Sequence, residues 1–315
     1  MKPGVRLRAR WCDFWFRPAA LLDLGVARIV LAAIVLRLNG SMRFLPIGLI
    51  SPDLWKPLPW IAALGFDQRP SLEQLMVFRR LSHAALLAVA LGLLTHAALA
   101  IAFVLQLLQE AFLNCFGKTS HGTLPLLYAM LFFALAPCDR AVSLDALLRH
   151  GWRRVRGRAD TPQARYSVYA RWPFELLFAE LASYYFLAGL AKIGSSGLLW
   201  ADGYTLQYYL LEKATPAGLW LASHPLLCTA LSVLVLAFEL SWPLGIPFRR
   251  LRPLLFASGL AFHAGTIVFL RVSFWPLWVL YALFVPWSAL AAIARRYAGR
   301  LFPGAHRMAN VATGP

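Results

Sequence analysis

Lys192 closes a long apolar stretch, Trp172 to Ala191, just before the break Gly194-Ser195-Ser196-Gly197. An amine in that place can snorkel to the membrane surface and anchor its segment. It can cap a helix C-terminus against the helix dipole. It can also sit in a dry pocket, where burial disfavours the ammonium, and accept a proton near neutral pH. Ala188, Gly189, Leu190, Ala191 and Ile193 bracket it, so a lipophilic co-substrate could approach closely.

Other polar groups are expected at the same membrane depth. Gln106, Glu110 and Asn114 recur at i, i+4 and i+8, on one face of a helix. Lys118 and His121 follow in a short turn, and Tyr128 comes next on the His121 face. Tyr185 lies two turns beneath Lys192, and Trp200 and Asp202 fall in the loop beyond it. The candidate catalytic pair is Lys192 as base with His121 as partner. Tyr185, Glu110, Tyr128 and Trp200 are the candidate cofactor-binding residues.

Three further charges fall inside apolar stretches: Arg28, Glu180 and Glu239. A charge in hydrocarbon costs on the order of 3 kcal/mol on insertion scales, so each needs a reason. At roughly 1.5 Å per residue, all three come about 10 Å in from the same side. The expectation is a buried ion pair that locks the helices, with a proton or ion path as the other reading. His263 falls near the middle of its stretch and reads as a helix–helix hydrogen bond. The four cysteines show no CxxC pair, and no metal site is expected. Cys115 and Cys228 fall near the same face and could pair, whereas Cys12 and Cys138 are expected to be reduced.

The elements that carry these residues are membrane helices. Apolar residues make up 60% of the 315-residue chain and charged ones 14%, where a soluble domain carries roughly a quarter. The start does not read as a cleaved leader, because Trp11 to Phe16 is aromatic and polar and the first apolar run is too long. The net charge of +17 does not point to nucleic acid, because the basic residues fall between apolar stretches. Eight spans of about 20 residues are expected, at 21–40, 75–94, 96–115, 122–138, 172–192, 225–246, 253–271 and 274–294. The turn between the second and third rests on Leu94-Thr95-His96 alone.

With the N-terminus in the cytoplasm, the inner segments 1–20, 138–171, 247–252 and 295–315 hold 20 of the 31 Lys and Arg residues. The basic loop 139–171 is the densest of them and suits anionic lipid. Segments 52–64 and Tyr204 to Lys213 are expected to lie flat at the outer interface, and the tail 303–315 to be disordered. No internal repeat is visible.

At these residues the chain resembles the horizontally transferred transmembrane (HTTM) domain superfamily, the membrane region shared with vitamin K-dependent gamma-carboxylase. Leu24-Gly25-Val26-Ala27-Arg28-Ile29 resembles the arginine-bearing first helix. Gly117-Lys118-Thr119-Ser120-His121, and then Cys138-Asp139-Arg140-Ala141-Val142-Ser143-Leu144-Asp145, resemble the histidine turn and the Ser-x-Asp close. Tyr185 to Lys192, followed by Trp200-Ala201-Asp202-Gly203, resembles the tyrosine-to-lysine signature. Phe238-Glu239 and Phe262-His263 match its later Glu and His positions.

The resemblance spans about residues 14–290. It implies that a lysine at the Lys192 position takes a proton from reduced vitamin K. Oxygen then yields an epoxide through a strong base that deprotonates a peptide glutamate, and carbon dioxide adds. A histidine at the His121 position assists. The glycine-rich segment between Lys192 and Trp200 is longer than the family pattern, and a large region after the last span, as in the carboxylase, is not expected.

The sequence therefore predicts an all-α polytopic membrane helical bundle of about eight transmembrane helices with short outer interfacial helices. It is expected in a bacterial inner membrane with both termini cytoplasmic. The expected function is a quinol-linked, carboxylase-like enzyme using reduced menaquinone or vitamin K hydroquinone. Its expected partners are the lipid bilayer and a secreted peptide or membrane protein. Two other classes stand beside this: an accessory protein for maturation or export of a secreted peptide, and a transporter or channel.

Overall fold

The computed structural model describes residues 3–41, 45–117, 122–158 and 164–301. Among these the architecture is helical, apart from one antiparallel contact that pairs Ala19 with Ser167 and Ala20 with Tyr166. The helices are α1 (Pro3–Phe16), α2 (Leu21–Gly40), α3 (Pro59–Ala63), α4 (Leu72–Leu91), α5 (Thr95–Asn114), α6 (Leu124–Leu135) and α7 (Leu144–Val155). They continue with α8 (Trp172–Ser196), α9 (Tyr204–Lys213), α10 (Pro216–Ala222), α11 (Pro225–Ser241), α12 (Arg252–Leu270), α13 (Trp275–Val279) and α14 (Trp287–Leu301). The tail 303–315 lies outside the described residues.

Each of the eight expected spans is helical, but they are not alike. Among the described residues, five helices are long and apolar enough to cross a membrane, or six if one bent pair is a single span. The five contain α4, α5, α8, α11 and α12. Helix α2 is 20 residues long but carries Asp23, Arg28 and Arg37, and α6 has only 12 residues. The expected last span, 274–294, is broken. Trp275–Phe284 and the following helix meet at 61°. Val285-Pro286 makes the break, because proline disfavours helical backbone in the residue before it. Asp23 of α2 then caps the start of α14, accepting from Ser288 N at 2.6 Å and Ser288 Oγ at 3.0 Å.

The main core lies along α2, α4, α5, α6 and α8, around Leu24, Leu31, Val35, Leu86, Leu99, Met130 and Phe133. Asn39 donates to Ser82 Oγ at 3.0 Å and ties α2 to α4. The turn between α4 and α5 is built from both sides. Gly92 ends α4 at φ +69°. A Cβ there would overlap Ser143 and stand 2.7 Å from an Arg28 nitrogen, so only glycine fits. Asp145 of α7 caps α5, accepting from Leu94 N at 2.9 Å, Thr95 N at 2.8 Å and Thr95 Oγ1 at 2.7 Å. Ser143 caps α7 itself through Ala146 N at 3.0 Å. The Ser-x-Asp close is therefore a structural clasp.

Partial burial works to raise the Asp145 carboxyl, but the Thr95 and Leu94 hydrogen bonds and Arg149 outweigh it and hold the group below its usual value of 3.8. A carboxyl depressed by folding stabilises at pH above its unfolded value and loses that contribution as pH falls through its folded one. Wild-type thermal stability in detergent should therefore drop as the pH falls below about 4. Asp145→Asn should start lower at neutral pH and show a shallower acid drop. Parallel curves for the two proteins would contradict this cap.

Candidate active site

Helix α8 presents Tyr185, Gly189 and Lys192 at i, i+4 and i+7, a single face. That face packs on α11 at Glu239 and Leu240. A Cβ on Gly189 would stand 3.2 Å from Glu239 Cβ and 3.0 Å from Leu240 Cδ2. The glycine lets the two helices close, and Lys192, one turn on, reaches Glu239. Its Nζ donates to Oε1 at 2.7 Å and Oε2 at 2.8 Å. The Glu239 side chain is 4% exposed and that of Lys192 25%. The same ammonium lies 5.3 Å from the centroid of the Trp200 ring, within cation–π range.

Gly189→Val should separate α8 from α11 and stretch this contact. The expected cost is about 1–3 kcal/mol of overpacking strain. Gly189→Ala should cost less, and thermal unfolding of the two variants checks the order.

Beneath the ion pair lies an aromatic floor. Tyr185 stacks on Trp242 at 4.4 Å with 15° between the rings. Its hydroxyl meets His263 Nε2 at 2.7 Å and the Tyr281 hydroxyl at 2.5 Å. His263 Nδ1 is buried without a hydrogen-bond partner. Phe238 flanks the group 5.2 Å from Tyr185, and Phe262 stacks on Phe238 at 5.3 Å. His263 thus bridges helices, as expected from its position. Trp242 and Tyr281 were not singled out from sequence. Trp242 was findable, because it sits three residues after Glu239 on the same face.

The expected ion pair among Arg28, Glu180 and Glu239 does not form. Arg28 is fully buried and spends its guanidinium on carbonyls: Cys138 O at 2.7 Å, Val142 O at 2.5 Å and Ala90 O at 3.5 Å. Glu239 belongs to Lys192, and Glu180 Oε2 is buried without a hydrogen-bond partner. The reason is depth. Glu239 lies level with Gly189, nine residues or about 14 Å along α8 from Glu180. Arg28 lies at the other end, among the turns after α4 and α6.

Gln106 donates to Glu110 Oε1 at 3.0 Å, and both are buried on α5. Helix α5, which carries Glu110, packs chiefly on α4 and α6. Tyr128 is exposed and stacks on Phe132. Lys118 and His121 lie outside the described residues. Asp202 accepts from Tyr204 N at 2.8 Å and starts α9, while its carbonyl takes the Thr229 hydroxyl. Cys115 and Cys228 do not pair. Both thiols are free, buried in separate apolar clusters.

A lysine held by both oxygens of a buried carboxylate can do acid–base work. The amine can carry a proton and the carboxylate can accept one across the 2.7 and 2.8 Å contacts between them.

A family model described as HTTM domain matches residues 16–288. The chain belongs to the HTTM domain family. No curated protein and no solved structure matches it. In this HTTM protein the described family-like stretches fall into two groups. Arg28 joins 138–145 as a structural clasp at one end. Tyr185, Lys192, Trp200, Glu239 and His263 converge toward the other.

Proposed function

We propose that this multi-pass membrane protein is a quinol-linked, carboxylase-like enzyme whose base is Lys192, acting as one half of a dyad with Glu239. The observation that carries the reading is the two-oxygen grip of buried Glu239 on the Lys192 amine. The surroundings suit a flat lipophilic ring. Trp200 offers an indole beside the amine, and Leu198 and Leu199 just before it in the chain are exposed. A reduced menaquinone or vitamin K hydroquinone would supply an acidic ring hydroxyl and the reducing equivalents for epoxide formation with oxygen. Lys192 accepts a proton at Nζ, and Glu239 relays it. The Tyr185–Trp242 stack closes the floor beneath and keeps water from the rest of the bundle. His121 joins the reading as catalytic partner by resemblance alone.

The Lys and Arg distribution supports an inner-membrane setting with both termini cytoplasmic, which puts Lys192 on the outer side with a secreted peptide as the second substrate. The test is purified protein with reduced menaquinone and oxygen, scored for epoxide. Wild type should form it and Lys192→Ala should not. Equal product from both, or none from either, removes the enzymatic reading and favours an accessory role in peptide maturation.

A further inference from the structure

At the end away from Lys192, a cavity of about 840 Å³ opens between the starts of α8 and α12 and the segment 278–286. Its volume is in the range of small-molecule sites, roughly 300–1,000 Å³. Its wall is apolar over most of its length, with Phe174, Phe256, Leu260 and Trp278 prominent. Its polar end is cationic. Arg171 Nε, Arg249 Nη2 and Arg252 Nη2 all converge on the single carboxylate of Glu175, at 3.2, 3.2 and 2.6 Å. Asp23 also lines the cavity, but Ser288 engages both its oxygens. Even counting it, three cations face two anions.

Two of the lining residues each keep a buried donor without a hydrogen-bond partner, Arg249 Nε and Trp278 Nε1. Arg249 also lines a neighbouring cavity of about 660 Å³ with Phe14, Phe248 and Arg250. Excess positive charge, orphaned N–H donors and an adjoining apolar shaft call for an anionic head on an apolar tail.

We propose that this groove binds an anionic phospholipid, with the phosphate against Arg249 and Trp278 and an acyl chain along Leu260 and Phe256. Charge-assisted hydrogen bonds from guanidinium to phosphate provide the recognition, and anionic leaflets supply the ligand. The site is separate from the Lys192 dyad and does not depend on its chemistry.

Native mass spectrometry of the full chain, released from nanodiscs of phosphatidylglycerol or phosphatidylcholine, tests this. Wild type should retain one phosphatidylglycerol with a preference of about tenfold or more over phosphatidylcholine. Arg249→Gln should abolish the preference. Leu260→Trp, which fills the shaft and leaves the arginines alone, should lower retention of both lipids and keeps the test open if Arg249→Gln fails to fold. Equal retention of the two lipids by wild type, an unchanged preference in Arg249→Gln, or undiminished retention in Leu260→Trp overturns the proposal. So does full protection of the protein by inorganic phosphate alone, which would mark a free-anion site.

Discussion

Lys192→Ala is expected to lower epoxide formation by about 10²–10⁴-fold, the span over which a positioned general base contributes. The same change should also cost stability, and the two effects separate. Removing the amine strands Glu239, whose side chain is 4% exposed, without its partner. Breaking a buried pair from one side typically costs about 3–5 kcal/mol, because a buried charge is left uncompensated. Removing both charges avoids that penalty. Lys192→Met with Glu239→Leu should therefore unfold close to wild type while remaining inactive. Thermal unfolding and product formation on the same samples decide the matter. Activity in the double variant would show that the dyad holds helices together and performs no chemistry.

Arg28→Met is the second large loss. The guanidinium is fully buried and caps carbonyls of Cys138 and Val142, with Ala90 at longer range. Each buried acceptor left bare costs about 1–3 kcal/mol. Val142 sharpens the prediction, because it sits at φ +51°, a conformation that β-branched residues avoid. Arg28 helps hold that turn in place. The variant should lose roughly 3–5 kcal/mol and express poorly. Arg28→Lys should not restore it, since one ammonium cannot reproduce the planar fork. Val142→Gly relieves the backbone and should recover about 1 kcal/mol. An Arg28→Met protein with wild-type melting behaviour would refute the clasp.

These cases show what was legible beforehand. The tight turn at Leu94-Thr95-His96 was readable because 20-residue helices need an interruption there, and α4 and α5 do end at Leu91 and begin at Thr95. Lys192 stood out because an amine after a 20-residue, mostly apolar stretch is costly without a partner. Its partner was misplaced. The depth count starts at residue 246, but the basic residues begin only at Arg249, and the 3-10 turn at Trp242–Gly245 adds about 2 Å more. Glu239 therefore sits further from the basic end than the count implied. Arg28 was expected to seek a carboxylate. It took backbone carbonyls, which every residue carries and no sequence pattern marks. The break at Pro286 had a signal in the proline itself, but the apolar residues on both sides read as one continuous span.

The most direct test of the dyad is Lys192→Arg. Arginine can keep the grip on both Glu239 oxygens, yet its guanidinium stays protonated in proteins and cannot accept the proton. Melting temperature and epoxide formed from reduced menaquinone should be measured side by side for wild type and this variant. The expected result is near-native stability with product reduced to background. Product at the wild-type level from a stable Lys192→Arg protein would contradict the assignment of Lys192 as the base.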